Sequence, residues 1–264
     1  MEHARALMRP ADNFYLGREA LERSPSRRDG IPAAAERALR ARGGELLAKA
    51  GRHLGLRRRT VAVGATLFQR FFCKRSFARH DPETVARTAL WLATKTDGTD
   101  GLRPLNALLQ VFYRLEQREA GRASGFELLV YVNPVYDRWK AGMIATEKLM
   151  LKEFGYALHV EVPHTYLLLI LADNLLAAAP LRAPAFQALN DCGLTALGCR
   201  FRPWVLACGA VFYAGRQLRH PLPEDPPWWA MFGVPAEDLV EIAAGLHELH
   251  SLQRGGPGGA GEPP

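Results

Sequence analysis

The chain has 264 residues, of which 48% are hydrophobic and 23% charged, a composition typical of a globular protein with one large core or two smaller ones. The 34 Lys and Arg residues against 27 Asp and Glu give a net charge of +7, which permits contact with nucleic acid or with an acidic protein. The sequence has no apolar run of about 18 residues, no signal-peptide core and no CxxC pair among its four cysteines, so it predicts no membrane span, no secretion, no zinc site and no disulfide scaffold.

In chain order, residues 1–30 are predicted to be irregular, because "SPSRRDG" is rich in turn-forming residues. Apolar residues at helical spacing then predict a series of helices. These helices cover 32–55, 59–74, 82–96, 104–119 and 134–154, followed by 163–179, 184–198, 203–217 and 235–251. No stretch alternates long enough to predict a strand. The tail after residue 251 is predicted to be disordered, because it is mostly Gly and Pro.

Two of these helices are predicted to be the most buried. Segment 60–74 is apolar on nearly every side, which is typical of a helix at the centre of a core. We expect it to be the most buried helix of the first half, and helix 203–217 to be its counterpart in the second half. Helix 32–55 contains Gly43 and Gly44, which predict a weak point because glycine is a poor helix former.

An internal repeat connects two of the predicted helices. Each begins with proline, continues with small residues four apart and a bulky triplet, and ends with a small residue and a cation. The aligned pairs run at a constant offset from Pro82 with Pro203 to Lys95 with Arg216. The repeat predicts two tandem helical units of about 100 residues each.

Lys95 stands at the end of the first repeat helix. Asp81 is predicted to cap this helix, Pro82 to occupy its first position and Gly98 to stop it. One interpretation makes Lys95 an ordinary last-turn cation favoured by the helix dipole. The other makes it a residue held for a binding partner. The residues alone leave both interpretations open.

Several segments resemble the transcription-type cyclins, in the same order along the chain. "TLFQRFFCKRSFARHDPETVARTALWLATKTDG" is similar to the heart of a cyclin box, most of all to that of cyclin L. "TEKLMLKEFGYALHVEVPH" resembles the passage from a first cyclin box to a second. "FYLGREALERSPSRRDGI" resembles the leader of cyclins T and K, and "LPEDPPWWAMFGVPAEDLVEI" resembles the last helices of the group. The resemblance spans about residues 14–251.

This resemblance implies an all-α fold of two tandem five-helix cyclin boxes. The implied segments are a leader at 1–32, a first, kinase-binding box at 33–156, a second box at 157–251 and a disordered tail at 252–264. The implied function is that of a nuclear regulatory subunit that binds and activates a cyclin-dependent kinase in transcription or RNA processing. No cofactor or metal ion is expected.

The resemblance also implies which residues contact the kinase. The lysine and glutamate that engage the kinase's regulatory helix in this family fall on Lys95 and Glu147. The apolar positions that match the family's contact surface are Phe72, Leu92, Leu151 and Tyr156.

Two departures from the family are visible. The family's lysine is usually followed by a hydrophobic residue and two acids, whereas this chain has Thr96, Asp97 and Gly98. The geometry after Lys95 is therefore left open. The first box helix also lacks the Met-Arg-Ala-Ile-Leu patch by which cell-cycle cyclins recruit substrates, because Glu45 and the nearby glycines interrupt it. This absence favours the transcription branch.

An alternative function is a cyclin-fold adapter that holds DNA or polymerase without a kinase. The positive charge permits it, and we expect at most weak, non-specific binding to nucleic acid. The cysteines of the zinc ribbon that such factors usually carry are absent from this sequence. No nucleophile elbow, P-loop, HExxH or dinucleotide motif is present, so the chain is not expected to be an enzyme.

Three smaller features have ordinary structural interpretations. His247 and His250 lie three apart on a predicted helix without a third ligand, so we interpret them as surface histidines. Trp228 and Trp229 are predicted to seal the second core rather than to form an exposed anchor. The arginine clusters at 27–28 and 57–59 are interpreted as solvated.

Overall fold

The computed structural model describes residues 14–98, 104–121, 133–172 and 179–255. Within these ranges the chain consists of helices and their connections, without a strand, which confirms the predicted all-α class. Contacts divide the chain into two compact units, one of Glu19–Val160 and one of Met1–Arg18 with Glu161–Pro264. None of the described helices is long and apolar enough to span a membrane.

The helices before residue 160 are α1 Arg18–Glu22, α2 Pro25–Arg28, α3 Ala33–His53, α4 Arg58–Lys74, α5 Pro82–Thr96, α6 Leu105–Glu119 and α7 Pro134–Glu153. The first two correct the prediction that residues 1–30 are irregular. In α2 the side chain of Ser24 accepts a hydrogen bond from Arg27 N, and Pro25 occupies the first helical position. Ser and Pro begin helices as readily as they form turns, so the turn-rich composition was ambiguous.

Helix α5 begins and ends where the sequence predicts. The Asp81 side chain accepts hydrogen bonds from the backbone N–H groups of Glu83 and Thr84, and Pro82 follows the cap. After the last turn, Gly98 has a φ of 65°, a left-handed conformation that glycine adopts at no steric cost. Lys95 therefore lies in the last turn of a helix with defined ends.

The repeat helix α5 is the hub of the first unit, because it packs against α3, α4, α6 and α7. Helix α4 is also buried along most of its length, with Phe68, Phe71 and Phe72 fully enclosed. The structural counterpart of α5 in the second unit is the other repeat helix, residues 203–217, which likewise packs against four helices. Eleven residues of α4 and twelve of helix 203–217 are buried, more than in any other described helix of their units, which confirms the prediction that these two helices are the most buried.

Gly43 and Gly44 do not interrupt α3, since the helix is continuous from Ala33 to His53. A Cβ atom on Gly43 would lie 2.1 Å from Cζ of Phe68, so the missing side chain is what lets the α4 phenylalanine approach. Gly64 of α4 plays a milder version of the same role, because its added Cβ would lie 3.4 Å from the Cα of Leu90. These glycines are close-packing residues.

The helices after residue 160 are α8 Pro163–Ala172, α9 Ala179–Cys192, α10 Leu197–Arg200, α11 Pro203–Gln217, a 3₁₀ helix Trp228–Phe232 and α12 Ala236–Gly255. Helix α9 begins earlier than the predicted 184–198, with Pro184 inside it. Helix α12 continues through Gly255, into the segment predicted to be a disordered tail. The rest of that tail, residues 256–264, lies outside the described residues.

The core of the second unit contains one confirmed prediction and one correction. Trp228 is 1% exposed and belongs to this core, as predicted, while Trp229 packs partly buried against it. His250 is not a simple surface residue. Its ring nitrogens share hydrogen bonds with the hydroxyl of Tyr213 at 2.8 Å and with a carboxylate oxygen of Asp191 at 2.9 Å. These partners come from α11 and α9, which sequence spacing within α12 could not reveal.

Candidate partner-binding surface

Lys95 and Glu147 form an ion pair between two packed helices. Helix α5 ends beside α7, and Lys95 Nζ lies 2.6 Å from Oε1 of Glu147. The Lys95 side chain is 34% exposed and the Glu147 side chain 19% exposed, so both charges are partly desolvated but reachable from solvent. The distance confirms that the two residues lie close together. Their role in binding a partner stays a prediction.

The Trp91 ring also positions Lys95. Nζ of Lys95 lies 4.7 Å from the centroid of the Trp91 ring, one turn earlier on α5. An ammonium group at this distance over an indole is attracted by the negative face of the ring. Lys95 is therefore held between an aromatic face on its own helix and a carboxylate on another helix, which a dipole-favoured surface lysine does not require.

The Asp97 carboxylate, two residues after Lys95, is buried. The Asp97 side chain is only 2% exposed and accepts hydrogen bonds from Arg59 Nε and Thr60 Oγ1, each at 2.7 Å. It thereby ties the end of α5 to the start of α4. Asp97 serves the fold and presents no charge to a partner, which resolves the geometry left open by the sequence. Arg59, interpreted as solvated, has a specific carboxylate partner.

One stripe of α7 carries the ion pair and apolar side chains. Ile144, Glu147 and Leu151 are spaced three and four residues apart, which places them on the same helix face. Ile144 is 43% exposed, unusual for a large aliphatic side chain, and Leu151 is half-buried. Ile144 was not among the predicted contact residues, although its three-residue spacing from Glu147 is visible in the sequence.

Tyr156 extends this surface just beyond the end of α7. Its side chain is 71% exposed, and its φ of 62° is left-handed, an uncommon conformation for a residue with a side chain. The Tyr156 N–H donates to the carbonyl of Leu151 at 2.9 Å, which closes the end of the helix. The chain thus accepts a strained backbone and an exposed aromatic ring at one position.

The structure places two predicted contact residues in the core instead of on this surface. Phe72 is 0% exposed and stacks on Phe77 with the ring centroids 3.6 Å apart. Leu92 is 2% exposed on the buried face of α5. A partner cannot touch either side chain in this conformation. The candidate surface therefore consists of Lys95, Glu147, Ile144, Leu151 and Tyr156.

Comparison with known sequences assigns the first unit to a family. Residues 13–159, more than half of the chain, match the cyclin N-terminal domain. The chain is 38% identical to Cyclin-L1-1 of Arabidopsis thaliana over 243 residues, which are 92% of this chain and 57% of that protein. It is 32% identical to Cyclin-L1 of Homo sapiens over 244 residues, which are 92% of this chain and 45% of that protein. The chain spans about half the length of these relatives.

Comparison with solved structures supports the fold. A chain of the yeast RNA Pol II CTD kinase CTDK-1 complex matches with a TM-score of 0.71 and 14% identity, over 90% of this chain and 73% of that chain. A chain of the CAK complex from Chaetomium thermophilum matches with a TM-score of 0.61 and 17% identity, over 97% of this chain and 81% of that chain. At such identities the likeness concerns the fold alone.

Proposed function

The chain belongs to the cyclin family, and we propose that it is a regulatory subunit that binds and activates a cyclin-dependent kinase acting in transcription or RNA processing. The observation that carries this proposal is the Lys95–Glu147 pair, held over Trp91 beside exposed apolar side chains. In this role the chain performs no catalysis itself. It supplies a surface, and the kinase supplies the chemistry.

The physical basis is stabilisation of one kinase conformation. A protein kinase is active when a glutamate on its regulatory helix meets its catalytic lysine. A rigid surface that binds the inward position of this helix more tightly than the outward position shifts the kinase towards activity. The α5–α7 pair supports such a surface, because both helices are anchored in the core of the first unit.

The two charges have capacity left for a partner. An ammonium group has three donors, and Lys95 uses one on Glu147. Glu147 accepts at Oε1, so its other oxygen remains available to a partner's N–H group. We propose that these groups bind backbone carbonyl and amide groups of the kinase and so fix its register on the surface.

The apolar side chains supply most of the affinity in this proposal. Ile144 and Tyr156 expose large apolar surfaces, and Leu151 lies between them in the sequence. Burial of such side chains against a partner excludes water around the central charges and strengthens their hydrogen bonds. The proposed kinase site is thus an apolar patch around one ion pair, within the first cyclin box at 33–156.

The relatives named cyclin L favour a transcription-type kinase partner and a nuclear location for this chain. The direct test is co-expression of the full chain with a panel of transcription-type kinase catalytic subunits. We expect one kinase to co-purify in equal amounts and to phosphorylate its peptide substrate faster with the chain than alone. If no kinase co-purifies while the chain retains DNA or polymerase at physiological salt, the adapter function is correct instead.

A further inference from the structure

A basic cavity in the first unit is built from residues outside the proposed kinase surface. It encloses about 280 Å³. Three stretches of chain line it: the end of α2, the end of α4 and the connection from α4 to α5. The charged or titratable residues that line it are Arg28, Asp29, Lys74, Arg75, Arg79 and His80. Four cations thus face one carboxylate.

Hydrogen bonds to two carboxylates and one carbonyl fix three of the cations that line this cavity. Arg79 forms a bidentate salt bridge with Asp29, in which Nε donates to Oδ2 at 2.8 Å and Nη2 donates to Oδ1 at 2.7 Å. Arg75 donates to the carboxylate of Glu153 at the end of α7, and Lys74 Nζ donates to the Glu153 carbonyl at 2.5 Å. These contacts orient three cations before any ligand arrives, which lowers the entropic cost of binding.

Two donors of the cavity residues have no partner of their own. Arg28 forms no salt bridge with any residue that the structure describes. The hydrogen bond from Arg79 is the main cause that lowers the pKa of the Asp29 carboxyl, and the charge of Arg28 adds a smaller lowering. Nε of Arg75 is buried and makes no hydrogen bond within the described residues. A buried N–H without an acceptor costs free energy, and an anion seated in the cavity could supply the acceptor.

His80 lines the same cavity as these cations. Burial lowers the pKa of its imidazole, nearby Arg75 lowers it further, Glu153 acts in the opposite direction and Arg79 adds to the lowering. The ring also packs edge-on against Phe71, with the centroids 5.2 Å apart. An anion bound among the arginines would offset their effect and raise this pKa, so His80 is a built-in reporter of occupancy.

We propose that this cavity binds the phosphate group of a phosphorylated serine or threonine in a partner protein. A phosphomonoester carries about 1.5 to 2 negative charges at pH 7 and three acceptor oxygens, which suits converging arginines. A nucleic acid instead presents single charges spread along a backbone, and single-strand binding adds aromatic rings on which bases stack. Apart from His80, none of the described residues that line the cavity is aromatic.

The test is a nuclear magnetic resonance titration of the full chain with labelled histidine, at pH 7 and constant ionic strength. The probe is N-acetyl-phosphoserine amide, and N-acetyl-serine amide is its uncharged counterpart. We expect the phosphorylated probe alone to shift the His80 ring signals in a saturable way and to raise the His80 pKa.

Arg28→Ala is the matched variant, because Arg28 is exposed and holds no salt bridge within the described part of the chain. We expect it to weaken binding of the probe about three- to tenfold, as expected for the loss of one partly exposed charge-assisted hydrogen bond. Arg52→Ala removes the same charge from an exposed position on α3 and should leave the affinity unchanged.

Three results would overturn the proposal. One is the absence of a saturable shift with the phosphorylated probe. Another is equal weakening by the Arg28 and Arg52 variants, which would reduce the effect to net charge. The third is tighter, Arg28-dependent binding of an oligouridine RNA at the same ionic strength, which would assign the cavity to nucleic acid.

Discussion

Lys95 is the central residue of the proposed kinase-binding surface. Its contacts with Glu147 and Trp91 contribute little to the free energy of unfolding, because an ion pair that solvent can reach is worth about 0–1 kcal/mol. We therefore interpret this ion pair as a binding feature, because it displays two charges to a partner and adds little to the stability of the fold. Asp97 shows the contrast, since its carboxylate is buried and joins two helices of the same unit.

Tyr156 provides a test in which stability and binding respond differently. Its left-handed backbone costs roughly 1 kcal/mol that glycine would not incur, and its ring is exposed. Tyr156→Gly should therefore change the free energy of unfolding by less than about 1 kcal/mol, since relief of strain offsets the added freedom of the unfolded chain. The affinity for the kinase should fall, because the ring is lost from the contact surface.

Urea denaturation measures the first quantity, and calorimetric titration with the kinase measures the second. A loss of more than about 2 kcal/mol in unfolding free energy would mean that the ring packs within the chain. Unchanged kinase affinity would remove Tyr156 from the contact surface.

The cysteines give a second prediction at the scale of residues. All four are buried, and burial raises the pKa of the Cys192 thiol to about 12 and that of Cys208 further. Since the thiolate is the reactive form, iodoacetamide at pH 8 should leave the native protein unlabelled. In urea, mass spectrometry should find all four labelled. Native-state labelling of Cys192 or Cys208 would contradict the described packing of the second core.

At the scale of elements, close approach of helices depends on particular glycines. Gly43→Ala would force a methyl group into the Phe68 ring, and this overpacking should lower the free energy of unfolding by about 1–3 kcal/mol. Gly142 of α7 is the matched control, because an added Cβ there meets only Thr84 Cγ2 at an ordinary 3.7 Å.

Gly142→Ala should raise the free energy of unfolding by about 0.5–1 kcal/mol, because alanine favours the helix interior. Thermal and urea unfolding of the two variants show directly whether each substitution raises or lowers the free energy of unfolding. If both substitutions stabilise the protein, α3 and α4 are not packed as closely as described.

The ends of helix α5 were predictable from the sequence, whereas the burial and the distant partners of single side chains were not. The cap at Asp81 and the stop at Gly98 were predictable, because local hydrogen bonds and backbone freedom decide them. The resemblance placed Phe72 on the contact surface, and the sequence of its helix could not correct this, because a helix that is apolar on all sides gives no periodic signal for which face meets a neighbour. The role of Asp97 was left open and His250 was misread for a related reason: their hydrogen-bond partners come from other helices.

The candidate site was only partly predictable. The family resemblance placed Lys95 and Glu147 together, which no local pattern could have done across 52 positions. It also transferred apolar positions without regard to burial, so Leu92 was included and Ile144 was left out. Exposure is a property of the packed molecule and had to be read from the structure.

At the scale of the whole molecule, the chain has two compact helical units, each with a repeat helix at its hub. The net charge of +7 is a property of the complete sequence and bears on non-specific binding. Duplex DNA should bind weakly, with an affinity that falls steeply as salt rises, because such binding depends on counterion release. Fluorescence anisotropy at several salt concentrations measures this dependence. Sequence-selective binding that persists at physiological salt would favour the adapter function.

Matched lysine and glutamate substitutions separate the kinase-binding role of the Lys95–Glu147 pair from general charge effects. Lys49 and Glu119 form another exposed pair, 3.6 Å apart between α3 and α6, outside the proposed surface. All four alanine variants should retain nearly the wild-type melting temperature, because each pair is worth at most about 1 kcal/mol to the fold.

The dissociation constant of the kinase complex shows whether these variants affect binding. Lys95→Ala and Glu147→Ala should each raise it at least about tenfold, because a central interface charge left without its partner costs about 2–5 kcal/mol. Lys49→Ala and Glu119→Ala should leave it unchanged. If the Lys95 and Glu147 variants bind the co-purifying kinase like wild type, Lys95 is only a helix-end charge and this surface does not bind the kinase.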